Sequence, residues 1–421
     1  VNAVREDPRR EGLLFAGTER AVYLSFDDGA NWQSLRLNMA ASSVRDLIVK
    51  DDDLVAATHG RGFWILDDIT PLRQIDAVSA AKDAILFEPT TGWRVRWNTS
   101  TDMPWPKEEP TGANPPDGAI INYYLKSAAS GPVTLEIRRA DGRLVRRYSS
   151  DDPVTPIPDT KSAPVPLYWY RKPQALSTSA GMHRFMWDVH YQPIAGAGGG
   201  GRGGLPIQGI PYNSPSGATT PWVPPGTYTV TLTVGGKSYS QPITVQQDPR
   251  VTTPRAIMQQ VYALTDAMYF GAVEAQAAAA ELSALREQAS KIQAQGPAAQ
   301  ALAAFVQKAT ALEGQRPAAA AGGGRGAMGG GRGEAAAPGA PNSLWAVSAS
   351  LAGQMNAMQA ADVAPTANTL AAVTAALNAG DAVMARWASL RTVDLPALNA
   401  TLKAAGLPGI GGRPGIHAPG G

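Results

Sequence analysis

Apolar and polar positions alternate over roughly the first 250 residues and then change rhythm. Two short apolar runs, 13–16 and 21–24, flank a polar turn and predict a β-hairpin. Strands are also expected at 1–4 and 32–37 around that hairpin, and at 44–49 and 63–66 further on. The stretch Ala16-Gly-Thr-Glu-Arg-Ala-Val-Tyr23 aligns with Ala56-Ala-Thr-His-Gly-Arg-Gly-Phe-Trp64, about 40 residues later, which is the signature of an internal repeat. A connector over 70–82 contains Pro71 and an Ala-rich turn or short helix. Beyond it a short strand begins at Asp83, Trp93-Arg-Val-Arg-Trp97 alternates at period two, and 99–117 reads as a Pro-rich loop. Strands then follow at 119–125, 133–138, 144–148, 181–189, 226–234 and 238–245, with Asp141-Gly142 and Gly235-Gly236 as turns. Many short strands punctuated in this way predict a β-sandwich.

From Thr253 the period becomes helical. Pro254 suits a first turn, and Ile257, Val261, Leu264, Met268 and Val273 recur at three to five residues. The Ala-rich run continues to about 294, Gly296-Pro297 breaks it, and a shorter helix reaches 312. Further helices are expected at 343–361, 366–390 and 395–405, giving an Ala-rich α-helical bundle. Between them 314–341 is low in complexity, with Arg325 and Arg332 among glycines. It resembles an RNA-binding Arg-Gly segment only superficially and is expected to be a disordered linker. The Gly-rich 196–204 lacks the Lys-Ser or Lys-Thr and following helix of a phosphate loop, which leaves a flexible surface loop.

The turn after the first hairpin carries the sharpest motif. Ser25, Asp27, Gly29 and Trp32 fit Ser-x-Asp-x-Gly-x-x-Trp: the two oxygen-bearing side chains can accept turn amides, and Gly29 can supply a positive φ. This resembles the Asp-box of BNR and sortilin-like β-propellers, where it joins the third and fourth strands of a blade. The first repeat then has four strands. The second stops after three, because Leu66-Asp-Asp-Ile departs from the box. Such a last blade is completed in propellers by a strand from the N-terminus of the chain, which closes the ring, and two blades cannot close a ring of at least about four. Since the chain also starts at Val1 in mid-strand, the expectation is a C-terminal piece of a longer protein.

Three later segments extend the resemblance over essentially the whole chain. Asn114-Pro-Pro-Asp-Gly-Ala-Ile-Ile-Asn-Tyr-Tyr-Leu125, Gly181-Met-His-Arg-Phe-Met-Trp-Asp188 and Pro224-Pro-Gly-Thr-Tyr-Thr-Val-Thr-Leu232 are similar to the Ig-like segment that follows the propeller in large secreted bacterial BNR or sortilin-like repeat proteins, commonly named glycosyl hydrolases. The last also resembles the final hairpin of FlgD-like Ig domains. The implied fold is multidomain, mainly β and then α. Residues 1–69 would be the last two propeller blades, 70–82 a connector, 83–249 an Ig-like β-sandwich, 250–405 the helical bundle and 406–421 a flexible tail. The implied location is secreted, periplasmic or cell-surface.

Composition narrows the chemistry. Lys and Arg number 37 against 35 Asp and Glu, for a net charge of +2, and the basic residues are scattered, so no nucleic-acid partner is implied. With no cysteine there is no disulfide, zinc-thiolate site or thiol nucleophile. No apolar run approaches the roughly 18 residues of a membrane span. The four histidines are His59, His183, His190 and His417. His183 and His190 sit at odd spacing on one expected strand and so point to opposite faces. No metal-binding or nucleophile-elbow motif occurs, no cofactor is implied, and no catalytic residue is identifiable. Asp27-Asp28 and Asp51-Asp52-Asp53 suit either turns or Ca²⁺.

Two groups of candidates remain. Glu19-Arg20 and His59-Gly-Arg61 occupy equivalent loops of the two repeats, opposite the Asp-box. In sialidase-like propellers that face holds substrate and its arginines bind a carboxylate, so the resemblance makes Glu19, Arg20, His59 and Arg61 ligand-face candidates. Alternatively Gly60 and Gly62 form the turn while His59 and Arg61 hydrogen-bond to neighbouring loops. Tyr168, Trp169 and Tyr170 are glycan-stacking candidates, Trp93 and Trp97 share a strand face, and Trp97 and Trp187 read as core or interface. Two functions follow from the resemblance: a non-catalytic scaffold recognising protein or glycan, or part of a sialidase-like exo-glycosidase whose catalytic residues lie mainly in other blades.

Overall fold

The computed structural model describes residues 1–80, 83–96, 115–116, 118–154, 159, 161, 167, 173–194, 220–316 and 340–411. Trp97, Tyr168, Trp169, Tyr170 and His417 lie outside these residues, as do most of the Pro-rich loop at 99–117, the Gly-rich segment 196–204, 317–339 and 412–421. The chain forms two compact units. One is built from Val1–Val189 and Pro225–Asp248, the other from the chain beyond Pro249 with short arms at 190–194 and 220–224. The protein is therefore a mixed β and α structure whose long helices follow its sheets.

The β unit begins with two small antiparallel sheets. Strands β1 (Ala3–Glu6), β2 (Leu14–Gly17), β3 (Val22–Ser25) and β4 (Gln33–Ser34) form the first in sequential order; β5 (Val44–Lys50), β6 (Asp53–Thr58) and β7 (Phe63–Leu66) form the second. Their side chains meet in one core of Leu13, Phe15, Val22, Leu24, Leu47 and Leu54 with their neighbours. Gly17 permits the close approach, because a Cβ there would lie 2.8 Å from Val44 Cγ1. The fourth strand is shorter than the expected 32–37: only Gln33 and Ser34 pair with β3, after which the chain crosses to the second sheet. Leu37 has φ +45°, which no regular strand accommodates.

Two larger sheets follow short helices α1 (Thr70–Arg73) and α2 (Ile75–Ala80). Strands β8 (Ala84–Leu86), β10 (Ala119–Leu125) and β13 (Gly181–Trp187) form a sheet of order β13-β10-β8; β9 (Gly92–Arg94), β11 (Val133–Arg138), β12 (Leu144–Ser149), β14 (Gly226–Val234) and β15 (Lys237–Gln247) form another, of order β12-β11-β14-β15-β9. Among the described residues only β9 pairs parallel, to β15. In β11 Val133, Leu135 and Ile137 are buried at period two, the signature of a sheet with one covered face. Trp187 is fully buried, edge-on to Tyr228 at 5.7 Å.

The expected strand 181–189 ends at Trp187. Val189 takes φ +50°, and His190 leaves for the helical unit, where it stacks on Trp222 at 4.2 Å. His183 and His190 thus do not share a strand, because a β-branched residue in the left-handed region interrupts it. In the helical unit α3 (Arg255–Ser290), α4 (Gly296–Glu313), α5 (Leu344–Met358), α6 (Ala367–Ser389) and α7 (Leu395–Ala404) pack together, with a π-turn, Leu390–Asp394, making α6 and α7 continuous. The buried seam of α3 runs through Met258, Val261, Thr265, Met268, Ala272 and Ala275 in 3-4 spacing. Val273 is exposed, so the expected apolar stripe drifts off the seam, which small residues carry instead. Leu351 of α5 lies 3.0 Å from a Cβ at Gly271 and 3.6 Å from one at Gly380, so glycines on α3 and α6 admit it. Among the described residues no helix is long and apolar enough to cross a membrane.

Candidate functional site

The turn between β3 and β4 is built from its own side chains. Ser25 Oγ–H donates to Asp27 Oδ1 at 2.7 Å, and the same oxygen accepts the Gly29 amide at 2.9 Å and the Asp27 amide at 3.3 Å. Asp27 accepts the Asn31 amide at 2.8 Å and the Asn31 side chain at 2.6 Å. Trp32 Nε1–H donates to the Gly29 carbonyl at 2.9 Å, closing the turn. Asp28 and Gly29 carry φ of 54° and 87°, the left-handed pair that such a reversal requires. Hydrogen bonds from Asn31 first, then from its amide and Ser25, hold the Asp27 carboxyl below the usual range. The aspartates here serve as turn formers, as does Asp51, whose φ is 54° in the β5–β6 turn. Among the described residues no cluster of three or more His, Asp or Glu has metal-binding geometry.

The loops at the opposite end come together through backbone bonds. Thr18 and Thr58, at equivalent positions, each donate a hydroxyl across their loop, to the Ala21 carbonyl at 2.9 Å and the Gly62 carbonyl at 2.7 Å. The segment 42–44 bridges the two loops. Ser42 N–H donates to the Arg20 carbonyl at 3.3 Å, Val44 N–H to the Thr18 carbonyl at 2.8 Å, and His59 N–H to the Ser43 carbonyl at 2.8 Å. Gly60 and Gly62, with φ of 80° and 65°, make the second loop.

Four candidate side chains divide into two kinds. Glu19 is engaged: it accepts from Asn2 Nδ2 at 3.1 Å and pairs with Arg45 at 3.3 Å. The Ser43 hydroxyl first, then the Asn2 amide and the Arg45 guanidinium, hold its carboxyl below the usual range. Arg20, His59 and Arg61 are exposed, and their side chains form no hydrogen bond or ion pair among the described residues. The holding contacts of this loop are main-chain ones, His59 N–H and the Arg61 carbonyl, which accepts Trp64 Nε1–H at 3.2 Å. The ensemble presents two guanidiniums and an imidazole beside a carboxylate that is already paired, which suits an anionic group. Trp93 is partly exposed on β9.

Sequence reasoning missed the polar clasp at the end of the sheets that carries the Ser25–Trp32 turn. The Asp7 side chain is fully buried and Arg73, 9% exposed, reaches it at 3.0 Å. Asp7 also accepts the Arg9 and Arg10 amides at 2.9 and 2.8 Å, while Arg73 bonds Asp52 and, at 2.9 Å, the Asp51 carbonyl. Nearby, Asp68 accepts from Asn122 Nδ2 at 2.6 Å, and Arg184 donates to the Asp68 carbonyl at 2.9 Å. Asp7 and Arg73, Asp68 and Asn122, and Asp68 and Arg184 lie 54 to 116 residues apart, so no local pattern marks these pairs. Burial first, then the charge of Asp53, pushes the half-buried Asp67 carboxyl up. Comparison with protein-family profiles, with curated proteins and with solved structures returns no match to this chain.

Proposed function

We propose that this chain is the scaffold and binding part of a secreted sortilin/BNR-like β-propeller protein, and that it recognises an anionic group on a protein or glycan. In this reading the two small sheets are consecutive blades, the two larger sheets an Ig-like sandwich and the helices a bracing bundle. The observation that carries the binding role is the pair of bridged loops, which leave Arg20, His59 and Arg61 open to solvent while Glu19 is held by Asn2 and Arg45. A cationic rim on ordered backbone binds carboxylates or sulfates without much loss of side-chain freedom.

The test is an array of acidic and neutral glycans and acidic peptides, run with a chromogenic glycoside panel on the wild-type chain and on Arg20→Ala/Arg61→Ala. Retention of acidic ligands, weakened at least about tenfold in the double variant, supports the reading. Equal retention by both, or none, sinks it. Turnover of any glycoside would favour the exo-glycosidase reading instead.

A further inference from the structure

The five-stranded sheet buries one face, and its other face is uncharged along its two longest strands. On β14 the residues that alternate with buried Tyr228, Val230 and Leu232 are Thr227, Thr229, Thr231 and Thr233. On β15 the positions facing away from buried Ile243 and Val245 are Ser238, Ser240, Pro242, Thr244 and Gln246. Thr231, Thr233 and Thr244 are half-buried and the rest are exposed. None of these nine positions carries a charge. A surface shaped for solubility alone is about 25–35% charged, and at that rate nine neutral positions in a row would arise about once in 25. The small sheets follow the ordinary rule: exposed Arg5 pairs with Asp46 at 2.6 Å and exposed Arg45 with Glu19 at 3.3 Å. Strand preference explains a threonine at any one position but not the exclusion of every charge.

The hydroxyls are held in place. Register sets Ser240 opposite Thr231 and Ser238 opposite Thr233, and the paired oxygens lie 2.9 and 3.0 Å apart. Each pair spends one O–H between its members, which leaves a second O–H and spare lone pairs to face a ligand at little entropic cost. At the end of β15 the parallel strand β9 sets Trp93 beside Gln246, with the indole 42% exposed on the same face. On the other side, over β11, Arg138 turns its charge onto Glu136 at 3.0 Å. The result is a neutral track of roughly 27 Å from Gln246 to Ser238, with an indole at one end. A protein partner would need large side chains to bury at the centre of such a face, and the threonine and serine rows offer none. A sugar chain needs what is present: hydroxyls that both donate and accept, and an aromatic ring for the apolar side of a pyranose. We propose that this face binds a neutral polysaccharide lying along β14 and β15, with one sugar stacked on Trp93. The site is built from other strands than the Arg20, His59 and Arg61 loops and takes an uncharged ligand, so it does not rest on the anion-binding reading.

Affinity electrophoresis of the full chain through gels holding hydroxyethyl cellulose, glucomannan or soluble starch tests this, with dextran sulfate as the charged comparison. At least one neutral polysaccharide should retard the wild type. Trp93→Ala should weaken that binding at least about tenfold, and Trp93→Tyr should restore most of it. Thr231→Val/Thr233→Val keeps the branched shape while removing two hydroxyls, and should weaken binding at least about fivefold. Circular dichroism checks that each variant folds. Arg20→Ala/Arg61→Ala should bind the neutral polysaccharide as the wild type does, which separates failure of this site from failure of the anion-binding loops. Retardation by none of the neutral polysaccharides overturns the proposal. Binding at wild-type strength in either Trp93→Ala or the double valine variant overturns it too, as does retardation by dextran sulfate alone.

Discussion

The two small sheets begin alike and end differently. After β3 the chain meets Ser25 and Asp27; at the register-equivalent positions after β7 stand Leu66 and Asp68. Ser25 collects two turn amides and folds the chain back into a fourth strand. Leu66 has no hydroxyl to offer, so its side chain joins the core. Asp68, at φ 53°, bonds Thr70 and Asn122 and sends the chain out into α1. Strand patterning is the same in both, so what decides between return and exit is the chemistry of two turn residues. The carboxylates beside the two turns also differ: hydrogen bonds push Asp27 down, and burial pushes Asp67, the neighbour of Asp68, up.

The exit from the second sheet depends on the clasp, so removing it should have the largest effect. Arg73→Ala leaves the Asp7 carboxylate buried without its counter-ion and should cost about 3 kcal/mol or more in urea denaturation. An effect under about 1 kcal/mol would mean that the clasp is incidental. Next, Ser25→Ala strips the partner from the Gly29 amide in the return turn and should cost about 1–3 kcal/mol, with Ala at Leu66 affecting packing but not turn geometry. Trp32 fluorescence reports on that turn, and an unchanged spectrum in Ser25→Ala would argue that Asp27 alone maintains it.

The opposite carboxylate shifts predict opposite pH behaviour. The folded Asp27 has a pKa below its unfolded value of about 3.9, so its contribution is full above that value and is lost as pH falls through the folded one. Asp27→Asn should therefore flatten the acid limb of a stability-pH curve. For Asp67 the folded pKa is raised, so its stabilising form is the protonated one, present in full below about pH 3.9 and lost as pH rises through the folded value. Asp67→Asn should raise stability at neutral pH; a loss there would show that the charged form is needed. The smallest effect belongs to the loops at the opposite end: Arg61→Ala should move stability by less than about 0.5 kcal/mol, whereas Glu19→Gln, which disturbs a paired group, should be the more costly of the two.

Where local rules act, the sequence was readable. The strands Ala119–Leu125, Val133–Arg138 and Gly226–Val234 stand where alternation and flanking turn residues put them. Gly296-Pro297 divides α3 from α4 because proline suits a first helical turn and no interior one. The Ser25–Trp32 turn was legible down to its glycine. The α3 seam was not, since the pattern was sought in large side chains and alanine, at 272, 275 and 279, fills the seam. His190 was misplaced because Val189 gives no sign of its positive φ.

The sequence by itself determined the elements, the repeat and the turn that closes the first sheet, because each depends on interactions within about ten residues. Only the tertiary structure decided that Glu19 is paired while Arg20, His59 and Arg61 stand open, and that Asp7 and Arg73 meet. Those outcomes rest on which distant residues share a surface, and the pattern of neighbours along a chain does not encode that.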